Sequence, residues 1–101
     1  MRRLRLDFDE AAVKWRPGRL HERLAIVSNL LGLGISGVSY FRSGGGNVHV
    51  EIGLVDELPD LAVICLQLLL GSDSWRELKN LRRVLDGRRQ WNILHGGELL
   101  E

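Results

Sequence analysis

Cysteine occurs once in this chain, at Cys65, and that scarcity excludes an internal disulfide and a cysteine-based zinc site within one chain. A reducing, cytoplasmic (intracellular) setting is the expectation. The basic start, Met1-Arg2-Arg3-Leu4-Arg5, runs into an acidic strand end rather than the apolar segment of a secretory signal, so no export is expected. Long apolar runs are also missing. The longest, residues 61–70, is about half of the ~20 residues that a membrane helix needs, and Gln67 interrupts it; a buried helix and no membrane contact follow. Cations are absent between Arg42 and Arg76, whereas Glu51, Asp56, Glu57, Asp60 and Asp73 all fall there.

What is present is ordinary for a folded protein: 45% hydrophobic and 27% charged residues in 101 positions, enough for one core and no second lobe. Residues 1–101 read as one domain. Period-two alternation marks strands over 3–9, 35–42 and 47–54, and a short last strand over 90–95. Pro17-Gly18 precedes a helix over 19–31, with Leu20, Leu24, Val27, Leu30 and Leu31 at helical spacing and Gly32 and Gly34 as its stop. Asp56 to Pro59 opens a second helix, whose residues 61–70 are so apolar that they require cover on two sides. Gly71 interrupts it. Ser74-Trp75-Arg76-Glu77 reads as a capping box for a further piece, with Trp75, Leu78, Leu81 and Leu85 as the buried stripe. The order βαββαβ, with the second helix split in two, is that of an α+β ferredoxin-like, RNA-recognition-motif-like fold: a four-stranded antiparallel sheet with helices on one face.

Alternation also sorts side chains. Leu4, Leu6 and Phe8 share a face with Val48, Val50 and Ile52, and Arg5, Asp7, Asp9, His49 and Glu51 point to the other. Two carboxylates at spacing two on a strand converge, and Mg²⁺ or Mn²⁺ is held by such carboxylates together with substrate phosphates. A nearby histidine can grip a nucleotide phosphate. Arg5 on the same face is the competing neutraliser.

The pairing of Asp7-Phe8-Asp9 with Ser43-Gly44 and the later His49 resembles the first two motifs of the archaeo-eukaryotic primase superfamily. The resemblance implies that Asp7 and Asp9 are metal ligands and that Ser43 and His49 bind nucleotide. It covers about residues 3–54. The family's third acidic motif has no counterpart in residues 90–95, which offer Asn92 and His95, so the expectation is a reduced, replication-associated relative, viral or plasmid-borne, without full polymerase activity. His49-Val50-Glu51 also resembles the metal motif of rolling-circle replication endonucleases. That reading lacks its helix-borne tyrosine, because Tyr40 falls on a strand.

Arg76, Lys79, Arg82, Arg83, Arg88 and Arg89 crowd together, as a surface for nucleic acid or nucleotide does, and equally as a solvated helix face does. The rival class is a non-catalytic homodimeric assembly protein, joined through the apolar helix or a sheet edge.

Overall fold

β1 (Arg2–Phe8) and β3 (Val48–Leu54) pair antiparallel, with Leu4 opposite Ile52, Leu6 opposite Val50 and Asp7 opposite His49. β2 (Ile35–Ser43) pairs with the other side of β3, giving a three-stranded antiparallel sheet in the order β1-β3-β2. The computed structural model describes residues 2–8, 17–43, 46–92 and 97–100. Three helices complete it: α1 (Pro17–Leu31), α2 (Asp60–Leu69) and α3 (Ser74–Leu85).

The alternation sorts the faces as expected. Leu4, Leu6, Val48, Val50, Ile52 and Leu54 are all buried and join Leu20 and Leu24 of α1, Val63, Ile64 and Leu66 of α2, and Trp91 in one cluster. Each such side chain contributes about 1.5–3 kcal/mol relative to exposure, so this cluster is the main source of cohesion. α1 is held over the sheet by Leu20 and Leu24, with Val27 packed against the same cluster. Leu30 and Leu31, expected in the buried stripe, are 81% and 58% exposed, because the end of the helix stands clear of the core. Gly32 at φ +65° closes it, with Leu33 N–H donating to Ser28 O and Gly32 N–H to Asn29 O. That bond pair is the Schellman termination glycine favours.

The last strand departs from expectation. Residues 90–92 belong to no strand, 93–95 lie outside the described residues, and the strand that does form, β4 (Gly97–Leu100), pairs with β2 through Tyr40 to Ser43. The ferredoxin-like order, with β1 in the interior beside the last strand, is therefore not the order observed. The physical reason lies in Trp91 and Asn92: the first is inserted into the core, and the second bonds Gln67 and Arg76 through its side chain.

α3 also turns differently from its apolar stripe. Trp75, Leu78 and Leu85 are exposed, Trp75 at 72%, whereas Glu77 and Asn80 are buried. The N-cap is Asp73, whose side chain accepts from Trp75 N–H at 2.9 Å; Ser74 is the first helical residue. Glu77 turns inward rather than back to the cap. α2 is covered on one side only, leaving Leu61, Cys65, Leu68 and Leu69 at the surface. No helix among the described residues is long and apolar enough to cross a membrane.

The inward polar set explains the arrangement. Arg5 N–H donates to Gln67 Oε1 at 2.9 Å, Asp7 N–H to Ser72 Oγ at 3.0 Å, Asp73 N–H to Asp7 O at 2.7 Å, and Arg76 Nη1 to Arg5 O at 2.6 Å. These four bonds satisfy outward-facing backbone groups of an edge strand, which otherwise invite pairing with another chain. The α2–α3 unit seals β1.

Candidate anion-binding site

His49, on the central strand, is flanked by Asp7 of β1 and Phe41 of β2 in one row across the sheet. Its Nε2 lies 3.4 Å from Asp7 Oδ1, and Asn47 Nδ2 donates to the same oxygen at 3.4 Å. Burial raises the Asp7 carboxyl above the usual carboxylate range; His49 and Arg76 pull it down, Asp73 pushes it up, and Asn47 lowers it, with burial prevailing. Asp7 and His49 thus meet across the sheet. Asp9 lies outside the described residues, and Ser43 is the last residue of β2. Among the described residues no group of three or more His, Cys, Asp or Glu side chains is placed to hold a metal ion. One carboxylate and one imidazole make an incomplete set for Mg²⁺, which takes six oxygen ligands, so no chemical step is routed through a metal here.

Arg5 does not neutralise Asp7. Its Nε is 3.5 Å from Glu51 Oε1, and its Nη1 donates to Asn92 O at 2.8 Å.

The cations expected to form one basic face divide into two groups. Arg76 is turned inward: besides Arg5 O, its guanidinium donates to Glu77 Oε2 at 2.6 Å and Asn92 Oδ1 at 2.8 Å, and burial lowers its pKa despite the Glu77 carboxylate. Arg83 donates to Asn80 Oδ1 at 3.0 Å. Lys79, Arg82, Arg88 and Arg89 face solvent, with Arg82 3.2 Å from Asp86. Arg76 therefore serves the fold, and the exposed members are those that can meet a polyanion.

A further convergence of positive charge lies elsewhere. Arg2, Arg3 and Arg5 of β1 and Arg89 beyond α3 line one cavity of about 550 Å³, together with Asp60 and Trp91. Alternation sends Arg3 and Arg5 to the face that carries Glu51, while Arg2 reaches Asp60 at the start of α2 and lies over the Trp91 ring, 5.9 Å from its centroid. Sequence reasoning singled out Arg88 and Arg89 but assigned no binding role to Arg2, Arg3 or Arg5. The available signal is the Arg2-Arg3-Leu4-Arg5 run itself, which reads as a basic start, as the opening of a strand and, at Arg5, as a neutraliser of the carboxylates.

A second concavity, of about 350 Å³, lies between α2 and α3 and is walled by Ile64, Leu68, Trp75, Leu78 and Leu81. It is apolar where the first is cationic.

No protein-family model, curated protein or solved structure matches this chain. The two concavities and the Asp7–His49 pair are therefore read on their own chemistry.

Proposed function

We propose that this chain binds nucleic acid or nucleotides through the arginine-lined cavity, without catalysing their polymerisation. The observation that carries the reading is the convergence of Arg2, Arg3, Arg5 and Arg89 on one concave site. Guanidinium groups present forked donors that match phosphate oxygens, and they stay charged at any physiological pH. The kinship with a primase-like palm rests on the order of its motifs and on the Asp7–His49 register pair. In that reading the pair is a remnant of a nucleotide site, and replication is the setting.

Anisotropy of a labelled single-stranded oligonucleotide, titrated at several salt concentrations, tests the proposal. Binding should weaken linearly in log–log form, and Arg3→Ala with Arg89→Ala should flatten the slope by about 1–2, at ~0.7 per lost single-strand phosphate contact. No binding by the wild type at low salt would sink it.

A second reading, a homodimeric assembly protein, is favoured by one observation: Leu61, Leu68, Leu69, Trp75, Leu78 and Leu85 are exposed on α2 and α3. Sedimentation at rising concentration tests it. A monomer throughout would leave this surface without that role.

A further inference from the structure

We infer that the arginine cavity selects a phosphomonoester dianion, the terminal phosphate of a strand or of a free nucleotide, over the singly charged phosphodiesters inside a chain. The inference rests on the reading above and narrows it to a ligand class.

Charge count is the first argument. The lining itself sets four arginines against Asp60, a balance of three positive charges, which Glu51, 3.5 Å from both Arg3 and Arg5, and Glu57, which feels the Arg2 charge, temper from outside it. A phosphomonoester carries about −1.5 to −2 near neutral pH, whereas an internal phosphodiester carries one negative charge. The site's balance fits the former.

Preorganisation is the second. Arg2 is held by Asp60 and packed on Trp91, and Arg5 is held by Asn92 O and Glu51. Arg3 and Arg89 are solvent-facing. Two cations are thus fixed in advance, and two can close on an entering anion, which limits the ordering cost of binding.

Size and lining supply the third. About 550 Å³ exceeds a bare phosphate and falls in the range of small-molecule sites, which leaves room for the group that bears the phosphate. Trp91 is 3% exposed and covered by Arg2, so no base can stack on it. The side chain of Asn92 is already bonded to Gln67 and Arg76. Charge is therefore the main means of recognition, and the exposed amide of Gln90 is the lining group left to meet a base.

The experiment compares one oligonucleotide bearing a 5′-phosphate or a 5′-hydroxyl, with a nucleoside monophosphate as competitor. The wild type should prefer the phosphorylated strand by roughly tenfold or more, as added charge-assisted hydrogen bonds imply. Arg3→Ala with Arg89→Ala should abolish the preference, and Lys79→Ala with Arg82→Ala, on the outer face of α3, should keep it. Competition by the free monophosphate at matched concentration assigns the site to free nucleotides; competition only by phosphorylated strands assigns it to strand ends. Equal affinity for the two oligonucleotides overturns this inference and leaves nucleic-acid binding standing. Failure to bind either strand or the monophosphate removes both.

Discussion

The side-chain amide of Gln67 takes the place of a neighbouring strand for Arg5: its Oε1 accepts the Arg5 backbone N–H at 2.9 Å while its Nε2 donates to Glu77 at 2.6 Å. One fully buried side chain thus links the sheet edge to the α2–α3 turn. Around it, Glu77 accepts from Ser72 Oγ at 2.7 Å and Asn80 Nδ2 at 3.0 Å, and Asn92 Nδ2 shares the Gln67 oxygen at 2.6 Å. In a low-dielectric interior such a network is stabilising only while every member is satisfied.

Gln67→Leu keeps the volume and removes the bonds of Gln67 to the Arg5 N–H, Glu77 and Asn92. It should destabilise the fold by about 2–4 kcal/mol, because the Arg5 N–H and the Glu77 carboxylate lose partners they cannot replace with water. Urea denaturation measures it. A loss below about 0.5 kcal/mol would mean that the network relaxes around the change.

Arg76 and Arg82 sit on the same helix and should behave oppositely. Arg76→Leu leaves the buried Glu77 without its cation and should cost about 3–5 kcal/mol. Arg82→Ala breaks only an exposed pair with Asp86 and should stay within about 0.5 kcal/mol. Chemical denaturation of the two variants side by side checks the contrast.

Burial raises the Asp7 carboxyl above the usual carboxylate range, so the folded state binds this proton more tightly than the unfolded chain does. The sign follows from linkage: this group's contribution favours folding at low pH and is lost as pH rises through the folded value, so ionised Asp7 is a cost near neutrality. The stability of Asp7→Asn relative to wild type should therefore be higher at about pH 7 than at pH values below the unfolded carboxyl's range. A difference that runs the other way in paired urea curves would show that the His49 contact outweighs burial.

Trp75→Ser removes the largest exposed apolar group of α3 and should leave monomer stability within about 0.5 kcal/mol. Its effect belongs to association. If the wild type sediments as a dimer through α2 and α3, the variant should dissociate at concentrations where the wild type does not.

The sequence by itself determined the sheet core. Period-two alternation assigns Leu4, Leu6, Val48, Val50 and Ile52 to one face and Asp7 and His49 to the other, because a register slip by one residue would reverse every side chain of a half-buried strand; a slip by two would not, so the sheet decides that Asp7 stands opposite His49. Three helices follow from spacing, glycine stops and the acidic, proline-bearing approach to α2, a local chemistry that a short window of residues carries whole. Only the tertiary structure decided which face of α3 turns inward. The apolar stripe of Trp75, Leu78 and Leu85 outweighs Glu77 and Asn80 on any hydropathy count, yet the edge of β1 needs donors and acceptors, and those residues help supply and orient them. The same holds for the cavity. Arg2, Arg3 and Arg5 are separated from Arg89 by more than eighty positions, and no local pattern relates them; they meet because Trp91 enters the core and draws the chain after α3 back across the start of β1.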